Sequence, residues 1–163
     1  MNLITPPHTK IIAQDTIPGL KSEWQKNKYT IVFTNGCFDI IHRGHVEYLY
    51  KASLLGDIFF IGLNSDASTH RLKGKNRPVL DQESRSLILA SFQYVDYICI
   101  FDEDTPYDLI KTVQPDVLVK GGDYKPEEIV GYDLVREKGG QVCTIDFVEG
   151  FSSSSLINKI RKV

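Results

Sequence analysis

The feature that most constrains the fold is an alternation, along most of the chain, of short apolar runs with segments of helical periodicity. The apolar runs are rich in β-branched and aromatic residues, which is typical of buried strands. Strands that are apolar on both faces favour a parallel sheet covered on both sides, and intervening helices provide the crossovers. We therefore expect one α/β domain with a five-stranded parallel sheet and helices on both faces. The five predicted strands lie within residues 29–33, 57–64, 94–101, 116–120 and 141–145.

The predicted domain occupies residues 29–163 and is preceded by a lead segment, residues 1–28. A short helix is expected in that segment from about Gly19 to Lys26, because Leu20 and Trp24 have the i, i+4 spacing of a small apolar contact. A length of 163 residues with 42% hydrophobic composition suits a single core.

The net charge of −2, with 25% charged residues, argues against a protein that coats nucleic acid or an anionic membrane. Three widely separated cysteines indicate a reducing compartment. No apolar run approaches a membrane span and no signal peptide is recognised at the N-terminus, so a cytoplasmic protein without a membrane partner is expected.

Residues 34–45, here called the signature turn, join the first predicted strand to a helical pattern. A helix N-terminus after a strand favours anions, because its first N–H groups lack internal partners. His42 and His45 would share a face of that first helical turn, and Gly44 would allow close approach of a ligand. Contact of these histidines with phosphate is favoured over zinc binding, since no third metal ligand has a convincing spacing. The sequence does not assign residues to any other metal site. Asp39 is expected to cap or orient the turn, and Cys37 to pack beneath it, a reactive thiol being the alternative.

Other polar turns also follow predicted strands, and parallel strands bring their carboxyl ends to one edge of the sheet. These turns contain Asn64, the stretch Lys120–Tyr124, and the serines Ser152–Ser155. The serines precede an apolar helical pattern, so we expect a second anion-binding helix start, with a flexible tail as the alternative. Lys120 at a strand end is costly to bury, which favours an anionic partner.

Residues 69–78, here called the basic segment, contain Arg71, Lys73, Lys75 and Arg77 without an acidic residue. A solvated loop and a phosphate-binding loop are both compatible with this pattern. Arg85 follows in a predicted helix, where it either binds phosphate or pairs with Asp81.

Residues 36–45, Gly-Cys-Phe-Asp-Ile-Ile-His-Arg-Gly-His, closely resemble the signature of the cytidylyltransferase-like nucleotidyltransferases. Further segments resemble the bacterial D-glycero-D-manno-heptose 1-phosphate adenylyltransferases, which occur alone or as the second half of a kinase fusion. The resemblance implies a Rossmann-like domain that transfers AMP from ATP to the sugar 1-phosphate and releases pyrophosphate. It runs from about residue 29 to the end, and the resembling segments are 64–68, 71–74, 77–79, 118–129 and 149–154.

The resemblance also implies roles for individual residues. His42, His45 and Arg85 are the expected catalytic residues, and Mg²⁺ is expected with ATP. The expected nucleotide-binding residues are Thr34, Asn35, Gly36, Cys37, Phe38, Gly44, Asn64, Lys73, Arg77, Lys120, Gly121, Gly122, Asp123, Ser152, Ser153 and Ser154.

Two other functions remain open at this point. A cytidylyltransferase acting on glycerol 3-phosphate or another small phosphorylated alcohol is the main alternative. The resemblance to those enzymes is weaker at Phe147, because they have arginine at the matching position. A nucleotide-binding sensor without turnover is the non-enzymatic alternative. Ser53 replaces a Lys or Arg of many relatives, and apolar residues on the helix after the signature turn make a homodimer possible.

Overall fold

The computed structural model describes residues 5–122, 124–146 and 150–162. Within these residues, six strands form one sheet in the order β1-β4-β3-β2-β5-β6, and each neighbouring pair is parallel. The predicted Rossmann-like α/β architecture is therefore confirmed, but the predicted count of five strands is wrong. The strands are β1 Ile11–Ile12, β2 Ile31–Gly36, β3 Ile58–Asn64, β4 Tyr97–Phe101, β5 Val117–Gly121 and β6 Gln141–Ile145.

The additional strand, β1, lies in the lead segment. It has only two residues, and Ile11 and Ile12 pair in parallel with Ile98 and Cys99 of β4. Two adjacent isoleucines are too short to show the periodicity by which strands are recognised in a sequence. The side chain of Lys10 strengthens the attachment by donating to the Phe92 carbonyl at 3.0 Å.

Helices cover both faces of the sheet. Leu49 and Leu89 belong to the core on one face, whereas Trp24, Leu109 and Val135 belong to the core on the other. Each face thus carries its own apolar layer, as the continuous hydrophobic runs predicted. The helices are α1 Ile17–Asn27, α2 Arg43–Ser53, α3 Asp66–Lys73, α4 Gln82–Ala90, α5 Tyr107–Val113, α6 Tyr132–Glu137 and α7 Ser153–Ile160.

The helix predicted in the lead segment is α1, and it packs on the sheet. Trp24 is 3% exposed, with its ring centroid 5.3 Å from that of Tyr97 and 6.3 Å from that of Phe60. Ile17 at its start is completely buried. Described residues of the lead segment therefore share a core with the rest of the chain.

The strand order reverses beside β2, which pairs with β3 on one side and β5 on the other. The chain runs outward from β2 through β3 and β4, then returns to the other side of β2 to form β5 and β6. Ligands of open α/β sheets bind beyond the carboxyl ends of strands at such a reversal. The end of β2 is the start of the signature turn, so the fold places that turn at the expected crevice.

Candidate active site

A pocket of about 410 Å³ opens at the carboxyl ends of β2 and β5. Four parts of the chain line it: the signature turn, the basic segment, the end of β5, and residues 150–155, here called the serine segment. Most of the residues predicted for the site are thus brought together by the fold. The lining residues are Asn35, Gly36, Cys37, Phe38, Asp39, His42, His45, Tyr48, Lys73, Arg77, Lys120, Gly121, Tyr124, Phe151, Ser152, Ser153 and Ser154.

The backbone of the signature turn is tightly folded at Phe38. Its φ angle is 43°, in the left-handed region that residues with a side chain rarely adopt. The Phe38 ring packs against Gly36, where an added Cβ would lie only 2.9 Å from the ring. Gly36 is therefore needed for the close approach of this ring, which in turn contacts His45 edge to face at 5.4 Å.

Helix α2 begins directly at the pocket. Arg43 is its first residue, and His42 precedes it in an extended conformation with no side-chain hydrogen bond capping the helix. The first N–H groups of a helix have no partners within the helix and carry the positive end of its dipole. The start of α2 is thus suited to a phosphate group.

The two histidines stack on each other in the pocket. Their ring centroids are 3.8 Å apart with an angle of 22° between the rings. The Nδ1 atoms of both are buried and make no hydrogen bond of ordinary geometry within the described part of the chain. Unsatisfied buried nitrogens of this kind are suited to a ligand that supplies hydrogen-bonding oxygens.

Burial keeps both histidines neutral near pH 7. It lowers the pKa of His45 to about 4, the nearby His42 lowers this pKa further, and the Ile40 backbone partly opposes the change. Burial also lowers the pKa of His42. A neutral imidazole can donate a hydrogen bond from one nitrogen, and an anionic ligand would favour the protonated form of either ring.

Gly44 lies in α2 behind the histidines and does not line the pocket. An added Cβ would be 3.1 Å from the His42 ring and 3.4 Å from the Cβ of Phe151. The glycine predicted for close ligand approach therefore allows close packing of His42 and Phe151 instead.

Asp39 connects the signature turn to the chain that follows the basic segment. Its side chain is fully buried and forms an ion pair with Arg77. It also accepts the backbone N–H groups of Val79 at 2.7 Å and Leu80 at 3.0 Å. The expected orienting role of Asp39 thus extends to holding Arg77 at the pocket wall.

Lys120 provides a second cation at the pocket, at the end of β5. Its ammonium group lies 3.4 Å from the side-chain oxygen of Asn35 on β2. Burial lowers the pKa of Lys120, the Cys37 thiol opposes this change, and Lys73 adds to it. An anionic ligand would relieve the desolvation of the ammonium group and its repulsion by Lys73.

Arg85 is not among the residues that line the pocket, so its contact with phosphate stays a prediction. The side chain is completely buried. It donates to the carbonyl groups of Cys37 at 2.6 Å, Asn64 at 2.8 Å and Leu80 at 3.0 Å, and to the Asp66 carboxylate at 2.7 Å. Its alternative, an exposed pair with Asp81, is wrong, because the side chain is buried and pairs with Asp66. Arg85 instead joins the ends of β2 and β3 below the pocket.

Three other predicted residues do not line the pocket. Thr34 is buried, and its hydroxyl lies 2.6 Å from that of Tyr48. Asn64 is 3% exposed and donates from its side chain to the Ser68 hydroxyl at 3.0 Å. Gly122 is also buried, and its N–H donates to Ile145 at 3.0 Å. Asp123, predicted to bind nucleotide, lies outside the described residues.

The serine segment forms the opposite wall, where α7 begins. The Ser152 hydroxyl accepts the N–H of Ser155 at 3.1 Å, which is the predicted capping arrangement. Ser153 donates from its hydroxyl to the Ile40 carbonyl at 3.2 Å, which attaches this segment to the signature turn. A second helix N-terminus therefore faces the same pocket as α2.

Sequence reasoning did not assign Tyr48 or Phe151 to the pocket, whereas Tyr124 belongs to the stretch Lys120–Tyr124 that was placed at this edge of the sheet. Tyr48 belongs to an apolar helical pattern that is read as core, and it is indeed 5% exposed. Tyr124 and Phe151 are 52% and 39% exposed. Phe151 lies in the resembling segment 149–154, directly before the predicted serines, and that position was the only signal available for it.

Residues 5–122, 124–146 and 150–162 contain no group of three or more His, Cys, Asp or Glu side chains arranged to hold a metal ion. In the same described ranges, no helix has the length and apolar character needed to cross a bilayer.

Comparison with known families gives one match that covers most of the chain. A model described as cytidylyltransferase-like matches residues 33–159. That range contains the signature turn, the basic segment, the end of β5 and the serine segment. The matched region thus includes all four parts of the pocket wall.

Curated proteins from several bacteria are similar to the chain. The bifunctional protein HldE of Wolinella succinogenes is 52% identical over 152 residues, which are 93% of this chain and 31% of that protein. The protein of the same name from Campylobacter concisus is 56% identical over 137 residues, 84% of this chain and 28% of the relative. The chain thus spans about a third of the length of these relatives.

Solved structures also resemble the chain. A lipopolysaccharide core biosynthesis protein from Thermoplasma volcanium has a TM-score of 0.60 and 29% identity, covering 74% of this chain and 97% of that one. A pantoate-beta-alanine ligase from Francisella tularensis has a TM-score of 0.54 over 94% of this chain and 78% of its own. Because the ligase is only 14% identical, it shows a shared fold alone.

Proposed function

The chain belongs to the cytidylyltransferase-like family, and from that membership we propose that it is a nucleotidyltransferase that transfers AMP from ATP to D-glycero-D-manno-heptose 1-phosphate. An oxygen of the sugar phosphate attacks the α-phosphorus of ATP. The bond between that phosphorus and the oxygen bridging to the β-phosphate breaks, and pyrophosphate leaves. The product is ADP-heptose. Both reactants are anions, so the protein's task is to align them and to balance their charge.

The observation that carries the proposal is the convergence of two helix N-termini on one pocket that also contains His42 and His45. Lys73, Arg77 and Lys120 add positive charge from other parts of its wall. Donors and cations directed at one point suit a group whose charge is spread over several oxygens, as in phosphoryl transfer.

His42 and His45 are proposed to donate hydrogen bonds to the phosphate oxygens around the reacting phosphorus. Both imidazole rings line the pocket, and their Nδ1 atoms make no hydrogen bond of ordinary geometry among the described residues, which supports this role. As the negative charge on the leaving pyrophosphate develops, donors that are already oriented stabilise it without reorganising. The attacking phosphate is already ionised, so no general base is needed.

The choice of sugar rests on the relatives. Proteins named bifunctional protein HldE are 52% and 50% identical over 152 residues each. The similarity extends beyond the signature turn to the end of β5 and the serine segment, as the sequence resemblance indicated. ATP and a sugar 1-phosphate are therefore the proposed substrates, with a role in carbohydrate metabolism leading to surface polysaccharide.

Mg²⁺ is proposed to enter as the complex with ATP. The described ranges have no carboxylate cluster for a resident metal, and Mg²⁺ in phosphate sites keeps water and substrate oxygens as ligands. The metal would neutralise part of the triphosphate charge, while Lys73, Arg77 and Lys120 would neutralise another part.

A homodimer and a cytoplasmic location complete the proposal. Val46 and Tyr50 are exposed on α2, and Leu54 is exposed directly after it. Leu87 and Ile88 are exposed on α4, which packs on the same face of the sheet. An exposed apolar patch of this kind supports self-association. The three free cysteines support a reducing compartment, and the charge of −2 supports a protein without nucleic-acid or membrane partners. Light scattering over a concentration series would test the dimer.

The decisive experiment is to incubate the protein with Mg²⁺, ATP and heptose 1-phosphate, and to measure pyrophosphate release and ADP-heptose formation. Release with this pair, well above that of a His45→Ala control, is expected. Release only with CTP and glycerol 3-phosphate would favour the cytidylyltransferase alternative. ATP binding without pyrophosphate release for any sugar phosphate in a panel would favour the sensor.

A further inference from the structure

The His42 ring packs against two other rings. Its Nδ1 is buried without a hydrogen-bond partner among the described residues. The imidazole stacks on His45 at 3.8 Å, and the ring of Phe151 lies nearly parallel to it at 6.5 Å and 27°. An imidazole is usually oriented by a hydrogen bond from its second nitrogen, so its orientation here must have another source.

The two aromatic contacts belong to a longer series. The Arg43 guanidinium lies 5.7 Å from the centre of the Phe151 ring, Phe151 stacks with His42, His42 with His45, and His45 meets Phe38 edge to face. The series joins the serine segment to the signature turn. Phe151 therefore contributes the contact that reaches His42 from a distant part of the chain.

The position of Phe151 is itself held from two directions. Two residues later, Ser153 donates to the Ile40 carbonyl of the signature turn at 3.2 Å. On the α2 side, a Cβ added at Gly44 would lie 3.4 Å from the Phe151 Cβ, so the missing side chain allows the approach. The backbone next to Phe151 is therefore attached beside the turn that carries His42.

We propose that Phe151 is a positioning residue that sets the orientation of the His42 imidazole. The inference rests on the proposed function in so far as His42 donates to the phosphates of the substrate. A flat neighbour restricts rotation of the imidazole ring and excludes water from one of its faces. The same exclusion of water favours the neutral imidazole.

A role in stacking on the nucleotide base is the main competing explanation, because Phe151 is 39% exposed at the pocket wall. The two roles predict different kinetic effects. Loss of a base contact weakens binding of ATP in the ground state and raises KM, whereas misorientation of His42 lowers kcat.

The first test compares Phe151→Leu with Phe151→Tyr in the ligand-free full chain by NMR of the imidazole nitrogens over about pH 5 to 8. Leucine keeps apolar bulk but removes the ring, and tyrosine keeps the ring. We expect Phe151→Leu to raise the pKa of His42 and to weaken the nuclear Overhauser effect between the two histidine rings. Phe151→Tyr should retain both wild-type values. Unchanged values in Phe151→Leu would overturn the proposal.

The second test is steady-state kinetics of the same variants. Phe151→Leu should lower kcat by on the order of ten-fold, with KM for ATP within about two-fold of wild type. Phe151→Tyr should keep the wild-type kcat. A rise in KM for ATP with unchanged kcat would assign Phe151 to the base and overturn the proposal. Wild-type protein without turnover on any substrate pair would contradict the proposed function, while the NMR comparison would still decide the role of Phe151.

Ile160→Ala is the matched control. Ile160 is in helix α7, which begins two residues after Phe151, and is 68% exposed. The variant removes an apolar side chain from α7 without touching the ring series, so kcat and the His42 pKa should stay at wild-type values. If it reproduced the effects of Phe151→Leu, general loosening of α7 would explain them and the positioning role would be refuted.

Discussion

Asp39 and Arg77 form an ion pair that joins the signature turn to the basic segment. The Asp39 side chain is fully buried, whereas that of Arg77 is 16% exposed and lines the pocket. The same carboxylate accepts two backbone N–H groups, from Val79 and Leu80. The position of the Arg77 charge at the pocket therefore depends on a fully buried carboxylate.

Replacing Asp39 with asparagine tests this dependence. The side-chain oxygen of asparagine can still accept from Val79 and Leu80, but the negative charge opposite Arg77 is lost. We expect the free energy of unfolding to fall by about 2–4 kcal/mol, because one charge of a buried pair is left uncompensated. KM for ATP should rise, because Arg77 is no longer held. Urea denaturation and steady-state kinetics would measure the two effects.

Asp104→Asn is the control for that substitution. Asp104 pairs with Arg71 at 2.7 Å, but its side chain is 69% exposed. Exposed pairs contribute about 0–1 kcal/mol, so the loss of stability should be small and KM unchanged. Similar losses in the two variants would contradict the importance of the Asp39 pair.

A second prediction concerns Arg85→Lys. Lysine keeps the charge but cannot reach all four acceptors that Arg85 satisfies. We expect the free energy of unfolding to fall by about 2–3 kcal/mol or more, because buried carbonyl groups lose their donor. Lys73→Met, at an exposed pocket residue, should instead leave stability within about 0.5 kcal/mol and weaken ATP binding. Isothermal titration measures the affinity for ATP, and denaturation measures the free energy of unfolding. An Arg85→Lys protein of wild-type stability with weaker ATP binding would favour direct phosphate contact.

Arg85 also shows which contacts a sequence does not reveal. Its charge, helical position and family resemblance all favoured a phosphate contact. Its acceptors come from the end of β2, the end of β3 and residues 66 and 80, which only the folded chain brings together. The sequence pattern of one helix does not show which residues of other elements will contact it. Asp39 was better predicted, because a carboxylate within a turn has an orienting role whatever its partner is.

The third prediction is a pH dependence of stability from His45. Its pKa is lowered in the folded protein to about 4, whereas an unfolded chain has the ordinary value of 6.5. Between these two values the unfolded chain takes up a proton that the folded protein does not, so stability falls as pH decreases from 6.5 toward 4 and changes little from this source above 6.5. The loss approaches about 3 kcal/mol at low pH.

Chemical denaturation of wild type and His45→Gln at several pH values would measure this contribution, because groups titrating elsewhere cancel in the difference. Wild type should lose stability relative to His45→Gln as the pH is lowered through this range. His70→Gln, at an exposed position on α3, should leave the wild-type profile unchanged. A constant difference between wild type and His45→Gln across the range would refute the lowered pKa.

The fourth prediction is the effect of His45→Ala on turnover. If His45 donates to the phosphates in the transition state, its removal should lower kcat by about 10²-fold or more. We expect the fold to stay intact at pH 8, although the ring contacts of His45 with His42 and Phe38 are lost. Pyrophosphate release and denaturation of the same sample provide both values, and wild-type turnover would refute the assigned role.

The fold was more predictable than the site. Apolar runs such as those of β2 and β3 are long enough to show their character, and the alternation with helices requires parallel crossovers. The signature turn was located correctly for the same reason, since it follows β2. The two-residue strand β1 has no such pattern and depends on pairing with β4. The exposed ring of Phe151 likewise has its contact with His42 only through the path of the folded chain.

The last prediction separates packing at the histidines from helix stability. Gly44→Ala places a Cβ 3.1 Å from the His42 ring, a contact that requires the imidazole to shift by a few tenths of an ångström. Alanine is a better helix former than glycine by about 1 kcal/mol, so the helix itself should not be weakened. We expect kcat to fall while the free energy of unfolding stays near the wild-type value.

Gly19→Ala, in α1, is the control. The added methyl group meets nothing within 4 Å, so this variant should raise stability by up to about 1 kcal/mol without changing kcat. Equal kcat values for the two variants would show that His42 accommodates the added methyl group, and that its orientation does not depend on the space left by Gly44.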